Sequence, residues 1–314
     1  MLSFQENEPL DRHTRFGIGG PARYYLECPS ETCLAEALAA GDAIVIGGGT
    51  NLLVADDGVD GTVLRYTANS IEVSGTHVRA EAGADLQALV DATIAAGLSG
   101  IHTMTGIPGS VGGAVYGNAG AYGHSICEWV TAVRFLDGGR VRSFGNAECD
   151  FRYRESAFKA NKRWIVLDCE LDLVPADAAE LRAAADRIRA IRDEKYPPSM
   201  KCAGSIFKNL LFPELAPRVA ARVPPAVIRE GKVPSAWFLE QVGAKGIRNG
   251  DIRVADYHAN LIYNAGNGTA AQVRAIIDDL KARVLSEFDL MLEEEVQYLG
   301  FSREAVASRQ AISR

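Results

Sequence analysis

The sequence predicts a protein of the α+β class in two parts, and three observations support this prediction. From residue 1 to about residue 174, β-forming runs alternate with glycine-dense turns and short helical patterns. From Pro197 onward the glycine clusters thin out and a second pattern of helices and strands begins. Between the two parts, apolar residues recur at helical spacing and stop at Pro197-Pro198; they are Leu181, Ala184, Ile188 and Ile191. A chain of 314 residues has room for about two domains, so this helix predicts a domain junction.

Each element has a local signal in the sequence. In the first part we expect, in chain order, a helix over 30–41 with Ser30 as N-cap, a buried strand over 43–46, a hairpin over 71–83, an amphipathic helix over 85–97, a hairpin over 130–144 that turns at Asp137-Gly138-Gly139, and a half-buried strand over 164–174. In the second part we expect a helix over 235–244, a strand around 260–264, a helix over 269–288 capped by Thr269, and a strand around 294–299.

Composition and charge exclude several classes of function. The 33 basic and 40 acidic residues give a net charge of −7, which argues against a nucleic-acid or anionic-membrane surface because both need a basic face. The six cysteines form no CxxC pair and the five histidines show no metal spacing, so we expect reduced thiols and no zinc site. The N-terminal sequence resembles no secretory signal, and no apolar run could span a bilayer. We therefore expect a cytoplasmic protein.

Two glycine-rich segments predict a site for a phosphate-bearing ligand. The first, GGGTNLL over 47–53, directly follows the strand at 43–46, and its bare N–H groups suit a phosphate. The second, over 105–123, carries seven glycines, and a bound dinucleotide would offset the entropy lost when it becomes ordered. The alternatives are a tight turn and a flexible loop. A GxGxxA match over 17–22 follows no strand and predicts only a structural turn.

Three reactive side chains lie among small neighbours. They are Arg154 in YRESAFK, Ser205 in CAGSIFKN and Glu295 in LEEEV. Taken singly, each has an ordinary structural interpretation: an ion pair, a turn serine and the acidic start of an edge strand. Ser205 lacks the GxSxG elbow, which argues against an ordinary serine hydrolase.

Taken together, five ordered motifs resemble the MurB family of UDP-N-acetylenolpyruvoylglucosamine reductases, in its short-loop version. They are GGGTNLLV, GIPGSVGGAVYGNAGAYG, YRESAFK, CAGSIFKN and LEEEVQYLG. The resemblance implies a two-lobed FAD-binding portion of the vanillyl-alcohol-oxidase (PCMH) type over 1–68 and 69–196, and a smaller α/β substrate domain over 197–314. It also implies an NADPH-dependent enzyme that converts UDP-N-acetylglucosamine enolpyruvate to UDP-N-acetylmuramate for peptidoglycan.

The resemblance also assigns site residues. It places the proton-donating serine at Ser205, the catalytic arginine at Arg154, and the catalytic glutamate at Glu295, directly before Val296. The implied substrate-binding residues are Lys195, Asn209, His258 and Asn260. The implied FAD-binding residues are Gly47, Gly48, Gly49, Thr50, Asn51, Leu52, Thr105, Gly106, Pro108, Gly109, Ser110, Gly112, Gly113, Asn118 and Gly120. We expect non-covalent FAD, because GGGTNLL contains no histidine or cysteine.

The chemistry agrees with these assignments. Hydride addition to the CH2 carbon of an enolpyruvyl ether leaves an enediolate, which a guanidinium such as that of Arg154 matches with paired donors. A serine hydroxyl within hydrogen-bond reach can protonate such a carbanion-like centre, while Glu295 orients or polarises the system. We expect these three groups to converge beside the flavin.

Two departures from the family pattern limit the transfer. The short interval from Arg154 to Ser205 matches the family version without a tyrosine-bearing loop, and Gln297 stands where a basic residue is common. Two alternative functions stay open: another FAD-dependent oxidase of this fold, and a non-catalytic nucleotide-sugar binder. The sequence leaves the oligomeric state unknown.

Overall fold

The structure, a computed structural model, describes residues 2–301, which group into two compact units. Unit 1 comprises the residues up to Asn7 together with Arg23–Gly49 and Gly61–Pro198. Unit 2 comprises Glu8–Ala22, Thr50–Asp60 and the chain from Ser199 onward. The division into two cofactor-binding lobes and a substrate domain stays a prediction. Residues 302–314, with which the third predicted segment ends, lie outside the described residues.

The described residues form short strands and eight α-helices. The strands are β1 (Gln5–Pro9), β2 (Pro21–Cys28), β3 (Ala43–Ile46), β4 (Leu52–Val54), β5 (Val59–Tyr66), β6 (Ile71–Ser74), β7 (His77–Glu81), β8 (Leu98–Ser99), β9 (Gly120–Ala121), β10 (His124–Ser125), β11 (Val130–Asp137), β12 (Arg140–Gly145), β13 (Ile165–Asp172), β14 (Val174–Pro175), β15 (Lys201–Ser205), β16 (Leu210–Leu211), β17 (Lys232–Val233), β18 (Arg248–Asn249), β19 (Ile252–Ala255), β20 (His258–Asn264) and β21 (Gln297–Leu299). The helices are α1 (Glu31–Ala39), α2 (Leu86–Ala95), α3 (Val111–Tyr116), α4 (Ala157–Ala160), α5 (Ala178–Lys195), α6 (Pro217–Ala220), α7 (Ser235–Gln241) and α8 (Ala270–Phe288).

Unit 1 is built around a five-stranded sheet in the order β12-β11-β13-β7-β6, in which every neighbouring pair is antiparallel. A second sheet, in the order β1-β2-β5-β3, has most of its residues in this unit and pairs β3 in parallel with β5. The inner faces of these strands and the apolar sides of α2 and α3 share one hydrophobic core, which contains Phe135 and Phe158. This core holds the glycine-rich segment 105–123 against the sheet.

Unit 2 is an antiparallel sheet in the order β15-β20-β19-β18 that packs with α7 and α8. Helix α8 buries residues at helical spacing, Val273, Ile276, Ile277, Leu280 and Val284. Its N-terminus carries a capping box of Thr269 and Gln272, and the Asp56 carboxylate also accepts from the N–H groups of Ala270 (2.7 Å) and Ala271 (2.9 Å). In the same unit, β21 pairs in parallel with β4.

The elements with clear local signals occur where they were predicted. Helix α1 begins after Ser30, whose hydroxyl accepts from the Cys33 N–H, and both predicted hairpins form, as β6–β7 and β11–β12. Helices α5, α7 and α8 also match their predicted segments. Among residues 2–301, no helix combines the length and the apolarity that crossing a bilayer requires.

Two burial predictions were wrong. The strand at 43–46 was expected to be buried, but Ile44 is 43% exposed because β3 lies at the edge of its sheet. Strand β13 was expected to be half-buried, but five of its eight residues are buried because it lies at the centre of its sheet. They include Asp168, whose carboxylate is held by Arg79 (2.9 Å) and Arg134 (2.6 Å).

The buried thiols give the first prediction. Burial raises the pKa of the Cys28, Cys149 and Cys169 thiols to about 12, and Cys202 is also buried, whereas Cys33 and Cys127 are partly accessible. At pH 8 we therefore expect Ellman's reagent to label two thiols rapidly in the native protein and all six after denaturation. A Cys33→Ser, Cys127→Ser double variant should show no fast phase. A third fast thiol in the native protein would contradict this burial.

Candidate active site

The two glycine-rich segments meet in unit 1. A Cβ atom on Gly47 would lie 2.8 Å from Oγ of Ser110, and one on Gly48 would lie 3.4 Å from Cα of Gly109. Gly49 has φ = +65°, in the left-handed region that favours glycine. A side chain at position 47 would therefore displace the Ser110 hydroxyl, whereas a Cβ on Gly48 would only reach van der Waals contact with the second segment.

Most N–H groups of the second segment already have protein acceptors. The Val111 and Gly112 N–H groups donate to the carbonyls of Ala84 (2.9 Å) and Ala82 (2.8 Å). Ser110 caps α3 by accepting from the Gly113 N–H (3.2 Å). The Gly106 N–H donates to Gln87 (2.7 Å), and the buried Thr105 bonds through its hydroxyl to the His102 carbonyl (2.8 Å). Within residues 2–301, the N–H groups that donate to no protein acceptor in these two segments include those of Gly48, Gly49, Gly109 and Ser110.

Asn118 and Gly120, both assigned to the cofactor, hold the backbone of unit 1. The buried Asn118 side chain donates to the Arg152 carbonyl (2.9 Å) and accepts from the Cys127 N–H (3.3 Å). A Cβ on Gly120 would collide with the His124 carbonyl oxygen across the β9–β10 turn. Pro108 lies in the loop before α3, and contacts of these residues with a cofactor stay predictions.

Arg154 occupies a strained position in a tight turn. The backbones of Arg152 and Glu155 exchange two hydrogen bonds of 3.1 Å, and Arg154 between them has φ = +58°. Its guanidinium donates to the carbonyls of Gly120 (3.0 Å) and Asn118 (3.5 Å). A non-glycine residue in this conformation costs about 1–3 kcal/mol, and such strain concentrates at functional sites.

Two residues of the same motif stabilise that turn, and sequence reasoning assigned neither of them. The Lys159 ammonium donates to the Arg154 carbonyl (2.7 Å) and pairs with the Glu155 carboxylate (2.9 Å). The buried Ser156 donates to the Tyr116 carbonyl (2.8 Å) and caps α4. The sequence carried a signal for Ser156, because serine is a preferred N-cap and this one precedes the short helix that contains Lys159.

Ser205 and Glu295 lie on paired segments of unit 2. Ser205 ends β15, next to Gly204 with φ = +72° and an irregularity in the pairing of β15 with β20. The Glu295 N–H donates to the carbonyl of Ile206 (2.7 Å), the residue after Ser205. Both residues are partly exposed, and the backbone pairing places a hydroxyl and a carboxylate from distant parts of the sequence on neighbouring segments.

Asn51 and Gln297 hold the Glu295 backbone from the other side. The Glu295 carbonyl accepts from Nδ2 of Asn51 (2.9 Å) and from Nε2 of Gln297 (3.1 Å). The Gln297 N–H in turn donates to the Asn51 carbonyl (2.9 Å), next to Leu52 in β4. Oδ1 of Asn51 is buried, and among the described residues it has no donor. The sequence did not suggest the bond from Asn51 to Glu295, because these two residues are 244 positions apart.

The predicted substrate-binding residues have different surroundings. Asn260 is 2% exposed, and both its amide hydrogens are used, by the Phe207 carbonyl (2.9 Å) and the Ser235 hydroxyl (2.7 Å). Asn260 therefore supports the strand after Ser205, and Ser235 is a further member of this network. The substrate-binding role predicted for Asn260 stays a prediction.

The remaining predicted residues are more accessible. Nδ1 of His258 accepts from the Asn260 N–H (3.2 Å), so a neutral His258 carries its proton on Nε2. The Asn209 carbonyl oxygen accepts from the Ser235 N–H (3.2 Å), which leaves its NH2 group directed away from that bond. Lys195 is exposed at the end of α5, with its ammonium 5.2 Å from the Tyr196 ring centroid.

Comparison with known proteins gives consistent matches over both parts of the chain. Residues 196–299 match the family described as "UDP-N-acetylenolpyruvoylglucosamine reductase, C-terminal domain", and residues 31–143 match "FAD binding domain". The UDP-N-acetylenolpyruvoylglucosamine reductase of Solibacter usitatus is 55% identical over 304 residues, which cover 95% of this chain and 97% of that protein. The one from Carboxydothermus hydrogenoformans is 37% identical over 304 residues, with coverage of 94% and 93%.

A solved structure extends the similarity to three dimensions. The crystal structure of UDP-N-acetylenolpyruvylglucosamine reductase (MurB) from Thermus caldophilus has a TM-score of 0.77 and 28% identity, and the match covers 95% of this chain and 100% of that chain. The predicted fold class, an FAD-binding portion followed by a smaller C-terminal domain, is confirmed by these matches.

The strain at Arg154 generates a prediction about stability. Arg154→Ala and Arg154→Gly both remove the guanidinium, but only alanine keeps a Cβ at φ = +58°. We expect the glycine variant to have a free energy of unfolding about 0.5–1 kcal/mol higher than the alanine variant. The same pair at the exposed strand residue Arg140 should show the opposite order. Urea or thermal unfolding measures both differences, and equal stability at position 154 would exclude strain.

Proposed function

The chain belongs to the UDP-N-acetylenolpyruvoylglucosamine reductase family, and on this premise we propose how its own residues carry out the reaction. It is an FAD- and NADPH-dependent oxidoreductase of peptidoglycan precursor synthesis, which reduces UDP-N-acetylglucosamine enolpyruvate to UDP-N-acetylmuramate. The proposal depends mainly on the hydrogen bond between the Glu295 N–H and the Ile206 carbonyl. This bond holds the segment of Glu295 next to the end of the Ser205 strand, and so holds a carboxylate and a hydroxyl on paired segments.

The glycine segments fit the FAD diphosphate. The two segments pack closely at Gly47, where a Cβ would displace the Ser110 hydroxyl, and the N–H groups without protein acceptors suit an anion. The partnerless Oδ1 of Asn51 suits a ligand hydroxyl or N–H group. We propose that residues 47–52 and 105–120 hold FAD without a covalent bond, and that residues 1–68 and 69–196 are its two lobes. Bound FAD, once reduced by NADPH, supplies the hydride that the enolpyruvyl CH2 carbon accepts.

Arg154 recognises the carboxylate of the enolpyruvyl group in this proposal. Hydride addition moves negative charge into that carboxylate, and a fixed guanidinium stabilises the resulting enediolate more than the substrate. Its bonds to the Asn118 and Gly120 carbonyls orient the guanidinium, a planar group with five N–H donors. The strained turn is therefore compatible with preorganised electrostatic stabilisation.

Ser205 donates the proton and Glu295 orients the reacting groups. The carbon α to the carboxylate, which is the carbanion-like carbon of the enediolate, must gain a proton to complete the reduction, and a hydroxyl within hydrogen-bond reach can provide it. The bonds from Asn51 and Gln297 fix the Glu295 carbonyl, so the position of its carboxylate follows from a held backbone.

We propose that polar groups recognise the UDP-sugar. The exposed ammonium of Lys195 binds a phosphate, and Asn209 and His258, in the substrate domain proposed over 197–314, contact the nucleotide sugar. Asn260 supports them from the core. We also propose a cytoplasmic location, because all six cysteines are free thiols, as is typical of a reducing compartment.

Ser205→Ala separates the two half-reactions. We expect NADPH to bleach the flavin of this variant at an unchanged rate under anaerobic conditions, because hydride uptake needs no proton from Ser205. Reoxidation by the enolpyruvyl sugar nucleotide should slow by about 10²-fold or more. Stopped-flow absorbance of the flavin measures both rates. Ser286→Ala, at an exposed position of α8, is the control and should leave both rates unchanged. Equal loss in both half-reactions would remove the proton-donor role.

Gly47→Ala tests the packing of the cofactor segments. The added Cβ would displace the Ser110 hydroxyl and weaken its cap on α3, so FAD affinity should fall by about tenfold, equivalent to about 1.4 kcal/mol. Titration of apoprotein with FAD measures this change. Gly41→Ala adds a Cβ with no atom within 4 Å and should bind FAD normally. Normal affinity in Gly47→Ala would show that this contact is dispensable.

A further inference from the structure

Glu293, Glu294 and Glu295 are consecutive, and the structure gives the first two different partners. Glu293 is 69% exposed and contacts the Lys208 ammonium. The Glu294 side chain is only 15% exposed and contacts Lys281 (2.8 Å) and Arg274 (3.5 Å) of α8. The sequence alone leaves three equivalent carboxylates, so these partners decide which one is directed away from the catalytic segment.

A charged face of α8 holds Glu294. Arg274, Asp278 and Lys281 are spaced by four and three residues, which places them on one side of the helix. Arg274 pairs with Asp278 (3.1 Å), and the side chains of Arg274 and Lys281 are 16% and 19% exposed. Water screens ion pairs at this depth less than surface pairs, so the two cations fix the Glu294 carboxylate.

The same helix face contacts the strand again four residues later. The Arg274 guanidinium lies 4.6 Å from the ring centroid of Tyr298, and burial raises the pKa of that phenol, which stays neutral. Glu294 and Tyr298 therefore both contact α8, and the chain bends at Val296 between them. Val296 is 2% exposed and belongs to the same hydrophobic core as the apolar residues of α8.

We propose that Lys281 and Arg274 are positioning residues that select Glu295, rather than Glu294, as the glutamate presented to the substrate. The inference rests on the proposed function of Glu295. A shift of one residue in this segment would bring Glu293 or Glu295 to the α8 cations in place of Glu294, and a run of three glutamates offers the same charge at each position. The ion pairs with α8 hold Glu294, and with it the segment, in place without touching substrate or cofactor.

Charge reversal at Lys281 tests this selection. In Lys281→Glu, two carboxylates oppose each other at position 294, so we expect the limiting rate of flavin reoxidation by the enolpyruvyl substrate to fall at least tenfold. The enolpyruvyl substrate concentration that gives half the limiting rate should change less than threefold, and the rate at which NADPH bleaches the flavin should change less than twofold. Lys281→Arg should restore the rate to within threefold. Lys245→Glu, which breaks the more exposed Lys245–Glu240 pair of the same unit, is the matched control and should leave all rates unchanged.

The double variant Lys281→Glu, Glu294→Gln shows whether the effect passes through Glu294. Removing one of the opposed charges should return reoxidation to the rate of Glu294→Gln alone. Should Lys281→Glu fail to fold, Lys281→Met takes its place with an expected loss of about threefold. The inference is overturned if the Lys281 variant reacts at the same rates as Lys245→Glu, or if its two half-reactions slow by the same factor. It is also overturned if adding Glu294→Gln to Lys281→Glu does not restore reoxidation.

Glu295→Gln separates this inference from the proposed function. If that variant is reoxidised at the normal rate, the proposed role of Glu295 fails, whatever Lys281 does. A slow Glu295→Gln together with an unaffected Lys281→Glu overturns only the positioning role.

Discussion

The parallel pairing of β4 with β21 is the constraint on which the carboxylate side of the site depends. It pairs Leu52 with Gln297 and brings Asn51 to the Glu295 carbonyl, 244 positions along the chain. One more hydrogen bond, from the Glu295 N–H to the Ile206 carbonyl, then joins this pair to the segment after Ser205. Because closing so long a loop is entropically unfavourable, the burial of apolar residues in unit 2 has to offset that cost.

The position of Arg154, by contrast, is set by local contacts. These contacts hold its backbone in a left-handed conformation that is unfavourable for a non-glycine residue. The left-handed conformation is maintained by the paired backbones of Arg152 and Glu155 and by the Lys159 ammonium on the Arg154 carbonyl. A charged donor to a carbonyl contributes about 1.5–3 kcal/mol, comparable with the strain. A glycine would relieve the strain but carry no guanidinium, so the proposed role of Arg154 accounts for an arginine at a position where glycine would be more stable.

Local signals predicted the fold better than the site. The capping box at Thr269 and the hydrophobic spacing of α8 defined that helix from sequence, because both act within a few residues. The same logic failed for Asp168, whose burial depends on arginines from two other strands. The motifs identified Arg154, Ser205 and Glu295 as candidates. They did not predict the structural hydrogen bonds that the side-chain amides of Asn51, Asn118 and Asn260 make to atoms distant in the sequence. Such contacts exist only in the folded chain.

The hydrogen bonds of the glycine-rich segment 105–123 change the interpretation of its many glycines. Its openness suggested that a ligand must offset the entropy of ordering it. In the structure that order comes largely from the protein, since Ala82, Ala84 and Gln87 accept from its N–H groups and Ser110 caps α3. Helix α3 therefore has its first N–H groups occupied before any ligand arrives. Gly112 and Gly120 serve close backbone approach rather than flexibility, and a largely preformed segment loses less entropy in the cofactor binding proposed for it.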